Sequence, residues 1–121
     1  NPVTPDTIAK SIAIGNPADG EYALRIARES GGGACAVSDE EALEGIKLLA
    51  QTEGIFAEAT GGVVIAVLKK MIDAGKIKPD NLTVAVITGA GPRTQDIMTD
   101  VVQATLVDPT VESFDNAFGA K

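Results

Sequence analysis

The chain has 121 residues, enough for one domain and too few for two. Asp and Glu number 17 against 10 Lys and Arg, a formal charge of −7, so neither a nucleic-acid backbone nor an anionic membrane surface is expected as the main partner. There is no His and one cysteine, Cys35, which excludes Ser-His-Asp and Cys-His catalysis, a His or Cys-rich metal site and an internal disulfide.

Hydrophobic residues make up 45% of the chain, too many for a disordered segment, and aromatics only 3%, so the expected core is aliphatic. The start, Asn1-Pro2-Val3-Thr4-Pro5-Asp6, has neither the basic head nor the apolar centre of a signal peptide. The longest apolar run, 63–68, is far short of the roughly 20 residues that cross a bilayer. A reducing, cytoplasmic compartment is the expected location.

Thr4-Pro5-Asp6 reads as a helix start, with Thr4 as cap, Pro5 in the first turn and Ile8 and Ile12 on one face. Gly15-Asn16-Pro17 breaks it. Asp19-Gly20 leads a second helix, with Tyr22, Ala23, Ile26 and Ala27 on one stripe and Gly31-Gly32-Gly33 as its stop. Residues 34–37, which include Cys35, read as a short buried strand. Ser38-Asp39-Glu40-Glu41 is a capping box opening a helix whose inner face is marked by Leu43, Ile46 and Ala50 and which stops at Gly54. A second short strand is expected over 55–57. Glu58-Ala59-Thr60-Gly61-Gly62 then turns into a helix of about four turns, ending before Gly75. Its first half, 63–68, is apolar all round, the mark of a buried helix. Residues 82–87 are nearly continuous and β-branched, as in a central parallel strand covered on both faces. Thr88-Gly89-Ala90-Gly91-Pro92 ends that strand. A short helix over 94–101, a strand over 104–107 and a last helix after Asp108-Pro109, with Val111, Phe114 and Phe118 on one side, complete the order. Short strands alternating with helices predict a single α/β domain over 1–121: a parallel sheet with flanking helices, joined by right-handed crossovers.

In such a sheet ligands bind beyond the carboxyl ends of the strands. Two loops meet that condition, Glu58 to Gly62 and Thr88 to Gly91, and both are rich in glycine, which lets a ligand approach the backbone. Gly89-Ala90-Gly91 is half of a dinucleotide fingerprint, but the third glycine is missing and no acidic residue stands about 20 positions on in a following strand. A plain strand-to-helix turn explains the spacing better than nucleotide binding does. Thr88 reads either as a turn or capping hydroxyl or as a short neutral partner for a ligand heteroatom. Glu58 reads either as a carboxylate at a helix N-terminus, where negative charge is favourable, or as a site residue. Cys35 has no evident base and reads as a small hydrophobe.

Taken in order, Thr7-Ile8-Ala9, Ile14-Gly15-Asn16-Pro17, Ala36-Val37-Ser38-Asp39-Glu40-Glu41, Gly54-Ile55-Phe56 with Glu58, Gly61-Gly62-Val63, and Ile87-Thr88-Gly89 with Gly91 resemble the C-terminal part of the threonine synthase family. That family belongs to the pyridoxal-phosphate enzymes of fold type II, the tryptophan-synthase-β type, so the resemblance implies part of their large α/β domain. The Ile-Gly-Asn-Pro and Thr-Gly-x-Gly segments are its more specific elements, and nearly the whole chain takes part. Where the family has Gly-Leu-Lys after its Thr-Gly pair, this chain has Gly91-Pro92-Arg93, which keeps a cation and alters the loop.

The resemblance implies that Thr88, with Gly89, meets the pyridine nitrogen of pyridoxal phosphate, that Glu58 begins the loop beside the cofactor and that Gly15 and Asn16 lie near its face. It implies the conversion of O-phosphohomoserine and water to threonine and phosphate. The family's Schiff-base lysine and glycine-rich phosphate cup have no counterpart among these residues: Lys10, Lys47, Lys69, Lys70, Lys76 and Lys78 read as solvated, and Lys121 as the chain end. The expectation is therefore a fragment with cofactor-binding residues but no catalytic residue of its own, inactive when isolated and binding the cofactor weakly at best. A fragment of a larger sheet leaves apolar faces and a strand edge open, so a homo-oligomer is expected. The alternative is a stand-alone, non-catalytic α/β module for ligand binding or regulation.

Overall fold

A computed structural model of the chain describes residues 1–99, 101 and 104–119. Four α-helices follow in order: α1 (Gly20–Glu29), α2 (Asp39–Glu53), α3 (Ala59–Asp73) and α4 (Val111–Phe118). Two 3-10 segments, Lys10–Ile12 and Gly91–Met98, complete the regular structure.

The packed centre is the pair α2 and α3. Ser38 caps α2 as its sequence demands: its hydroxyl accepts from Glu41 N at 3.2 Å, and the Glu41 carboxylate accepts from Ser38 N at 2.7 Å. Gly54, at φ +68°, ends the helix in the left-handed conformation that glycine takes without strain. The buried face of α2 is Ala42, Gly45, Ile46 and Leu49, one step round from the expected Leu43, Ile46 and Ala50. Leu43 is half-buried and Ala50 exposed. The shift has a cause in the facing helix. Gly62 of α3 lies so close that a Cβ at Gly45 would press on the Gly62 carbonyl, and a Cβ at Gly62 on the Ala42 carbonyl. The helices therefore meet along their small residues, and Ile46 fills the space beside them.

Ile65 and Ala66 of α3 are buried while Val63, Val64, Val67 and Leu68 are half-buried, so the apolar helix is covered on one side only. Lys70, near its end, reaches back to the cap of α2, donating to Glu41 Oε2 at 2.7 Å and to the Ala36 carbonyl at 3.1 Å. Leu49, Ala57 and Ile65 form the core cluster, and Ile87 packs against it from the chain's second half.

The expected parallel sheet is not seen among the described residues, so the details of its strands are not confirmed here. Segments 34–37, 82–87 and 104–107 carry no ladder, and the only pairing among the described residues is one isolated antiparallel bridge, Ala57 to Ala90. The reason is that strand pairing is non-local: a strand is stable only with neighbours that take up its N–H and C=O groups and cover its faces. The β-branched segment 82–87 finds none here, and Leu82, Val84 and Val86 are 96%, 78% and 65% exposed. Cys35, expected inside a buried strand, is exposed for the same reason.

The first expected helix is also absent. Val3 N donates to the Gly15 carbonyl at 3.1 Å, folding 3–15 back on itself, and Asp39 takes the Thr7 hydroxyl at 2.6 Å and the Ile8 amide. These ties leave room only for the 3-10 turn Lys10–Ile12. The helix expected over 94–101 is the 3-10 segment Gly91–Met98, kinked at Thr94, and its expected span includes Asp100, outside the described residues, as is Lys121. Helices α1 and α4 form where expected but bury nothing: Tyr22, Ile26, Val111, Phe114 and Phe118 are all exposed.

Candidate functional site

The two glycine-rich loops singled out by topology do meet, by a route the sequence did not suggest. Glu58 N donates to the Gly89 carbonyl at 3.0 Å and Gly91 N to the Phe56 carbonyl at 2.9 Å, on either side of the Ala57–Ala90 bridge. The segments run antiparallel there, where parallel strands had been expected. Ile87, half-buried on the core cluster, anchors the second loop beside this bridge.

Glu58 is the residue on which the geometry turns. It occupies the N-cap position of α3, yet its side chain makes no capping bond. It is 5% exposed, the one charged residue that is buried among those described. A buried carboxylate costs several kcal/mol unless partnered, and each oxygen has a partner. The Ser11 hydroxyl donates to Oε1 at 3.2 Å, and Arg93 Nε stands 3.3 Å from Oε2. Ser11 also shares a hydrogen bond of 2.8 Å with the Thr60 hydroxyl. Gly89 is required by this arrangement, since a Cβ there would fall on the Glu58 carboxyl group. Capping of α3 is done by Thr94, whose hydroxyl accepts from Ala59 N at 3.1 Å. The non-helical backbone of Thr94 (φ −138°) interrupts the 3-10 segment there.

Thr88 is exposed, and among the described residues no hydrogen bond engages its hydroxyl. The capping role open to it in the sequence belongs to Thr94. Gly15 is half-buried, and a Cβ there would strike the Val3 carbonyl; Asn16 beside it is exposed. Thus Glu58 and Gly89 are in contact and Thr88 adjoins them, while Gly15 and Asn16 connect to the cluster through the turn that carries Ser11. Sequence reasoning missed Ser11 and Thr94, whose partners lie 47 and 35 residues away and leave no local pattern.

No lysine joins the cluster among the described residues: Lys47 pairs with Glu44, Lys69 with Asp73 and Lys70 with Glu41. Two surface grooves, of about 520 Å³ between α2 and α3 and about 740 Å³ beside Phe56 and Met98, include neither Glu58, Gly89 nor Thr88. The cluster is an open edge with an unengaged hydroxyl. No group of side chains suited to a metal ion occurs among the described residues, and no described helix is long and apolar enough to cross a membrane.

Comparison with known proteins gives this edge its context. The profile of the family described as "Pyridoxal-phosphate dependent enzyme" matches residues 1–89, which include Gly15, Asn16, Glu58, Thr88 and Gly89. The chain is 47% identical over 93 residues to a threonine synthase of Bacillus sp. (strain ULM1), covering 77% of this chain and 26% of that protein. It is 47% identical over 92 residues to one of Methanocaldococcus jannaschii, covering 76% and 23%. With one of Methanosarcina acetivorans it is 38% identical over 118 residues, 97% of this chain and 29% of that protein. The chain therefore spans between about a quarter and three-tenths of the length of these relatives. With three-quarters of its length inside the matched family, this chain belongs to the pyridoxal-phosphate dependent enzymes.

Proposed function

We propose that the chain is the C-terminal part of a threonine synthase and supplies one wall of its cofactor site, Thr88, Gly89, Glu58, Gly15 and Asn16. The whole enzyme converts O-phosphohomoserine and water to threonine and phosphate. The observation that carries this reading is the free Thr88 hydroxyl beside the buried Glu58–Gly89 contact. When bound, pyridoxal phosphate supplies an electron sink for chemistry on an amino-acid substrate. The residues present fit one edge of its ring. Thr88 offers a neutral donor and acceptor, which hydrogen-bonds a ring nitrogen without holding it protonated as a carboxylate would. Glu58 is buried against Gly89, beside Thr88.

The segment 82–87 extends away from Thr88 with its faces uncovered, and we read it as a strand of the fold type II sheet whose neighbours belong to other parts of the enzyme. Among the described residues no lysine bonds to the cluster, and on this reading the 121 residues alone hold no Schiff-base group and release no phosphate. A cytoplasmic homo-oligomer acting on a small molecule, without nucleic acid or membrane, completes the proposal.

The test is direct. The 121-residue chain is mixed with pyridoxal phosphate and O-phosphohomoserine, and phosphate release is followed; the mixture is then reduced with borohydride and digested. The expected result is no release and no lysine labelled in preference to the others. A single labelled lysine with turnover would overturn the reading. Specific, saturable cofactor binding without turnover would favour a stand-alone binding module.

A further inference from the structure

We propose that Ser11 and Arg93 are positioning residues that act through Glu58, fastening the loop of Gly15-Asn16 and the loop of Thr88-Gly89 to one buried carboxylate. The inference rests on the cofactor-site reading above. Neither residue is assigned a role by that reading.

Apolar packing does little to hold Thr88 in place. Leu82, Val84 and Val86 are exposed, and Ile87 alone anchors the segment in the core. The position of the next residue therefore depends on polar ties. Those ties converge on Glu58: its amide donates to the Gly89 carbonyl, and its carboxylate lies against Gly89 where a side chain would otherwise stand. The two oxygens reach in different directions along the chain. Oε1 is held by Ser11, four residues before Gly15, in the 3-10 turn that leads into Ile14-Gly15-Asn16. Oε2 is held by Arg93, four residues after Gly89.

Ser11 is itself fixed from two sides. The Thr60 hydroxyl bonds it at 2.8 Å, and the Thr7–Asp39 bond at 2.6 Å pins the start of the same stretch to α2. Arg93 is 71% exposed on its side chain, so its guanidinium adds little to global stability. What it does is set a positive charge 3.3 Å from the second oxygen, an ion pair that biases the carboxylate toward one orientation against Gly89. Losing either partner leaves a buried oxygen half-satisfied, and the carboxylate turns toward the remaining donor or toward water. Both loops then lose a fixed distance to Thr88.

The experiment uses the full-length protein that contains this segment, with Ser11→Ala, Arg93→Gln, Arg93→Lys and Glu58→Gln. Two quantities are read: pyridoxal phosphate affinity by spectroscopic titration, and the thermal midpoint of the cofactor-free protein. Ser11→Ala is expected to weaken cofactor affinity about two- to tenfold, the range of one hydrogen bond, and Arg93→Gln about two- to fivefold, the range of a largely exposed ion pair, each with little change in midpoint. Arg93→Lys keeps the charge and recovers part of the affinity, and it carries the test should Arg93→Gln fold poorly. In a Glu58→Gln background neither substitution weakens affinity further. Full effects that persist in that background, or variants that lose midpoint while binding the cofactor as wild type does, overturn the inference alone. A wild-type protein that binds no pyridoxal phosphate overturns the cofactor-site reading and the inference together.

Discussion

Replacing Gly89 by alanine isolates the contact on which the site is built. Gly89 is not among the glycines with positive φ, so its backbone accepts an alanine and the cost is one of space. The added methyl would lie closer than 3.0 Å to Cδ, Oε1 and Cγ of Glu58, whose side chain is 7% exposed and has nowhere to move without leaving Ser11 and Arg93. Overpacking of this kind costs about 1–3 kcal/mol. Pulling a buried carboxylate off its donors costs a further ~1–3 kcal/mol, so Gly89→Ala should destabilise the protein by about 2–6 kcal/mol. Urea unfolding followed by far-ultraviolet circular dichroism reads this as a lower midpoint at unchanged slope. The decisive comparison is Gly89→Ala in a Glu58→Ala background, where the obstructing carboxyl is gone, Ser11 and Arg93 can turn to water, and the cost should fall below ~1 kcal/mol. An equal cost in both backgrounds would refute the proposed contact between Gly89 and Glu58.

Two further predictions concern the scaffold. Gly45→Ala places a methyl on the Gly62 carbonyl and should force α2 and α3 apart, at about 1–3 kcal/mol in denaturant unfolding; an unchanged midpoint would mean that the helices do not pack in this register. The Glu41 carboxyl is held below its ordinary value of 4.5, first by the hydrogen bond from Lys70 and then by the Ser38 amide. A folded-state value below the unfolded one gives stability that is complete above about pH 4.5 and lost as pH falls through the depressed value. Because the pair is solvent-exposed the effect is small, and Lys70→Ala should flatten the acid side of a thermal-midpoint profile taken from about pH 5 to about pH 3. A profile with the same acid slope in both proteins would contradict the assignment.

What the sequence disclosed follows from how far each interaction reaches. The capping box at Ser38 and Glu41 spans three residues, and the glycine stops at Gly31, Gly54 and Gly75 need only their own φ, so α1, α2 and α3 were legible with their ends. The face of α2 was read one step off because Gly45 and Gly62 decide it, and a glycine carries no hydrophobic signal. The strand over 82–87 was legible as a pattern, but a pattern cannot supply the neighbours that a ladder requires. Glu58, Thr88 and Gly89 are singled out in the sequence by the rule that strand ends gather ligands; their loops do meet, although the pairing that joins them is antiparallel. Ser11 was invisible, since nothing near it in sequence predicts a carboxylate 47 residues on. Arg93 registered only as a retained cation, and its partner Glu58 lies in the preceding loop.

The measurement that bears most directly on the account is the nitrogen-15 resonance of pyridoxal phosphate labelled at its ring nitrogen and bound to the full-length protein. The account predicts a hydrogen-bonded, unprotonated nitrogen whose resonance moves on Thr88→Ala and is largely restored by Thr88→Ser, which keeps the hydroxyl. A resonance indifferent to Thr88→Ala, or one characteristic of a protonated ring in the unsubstituted protein, would contradict it.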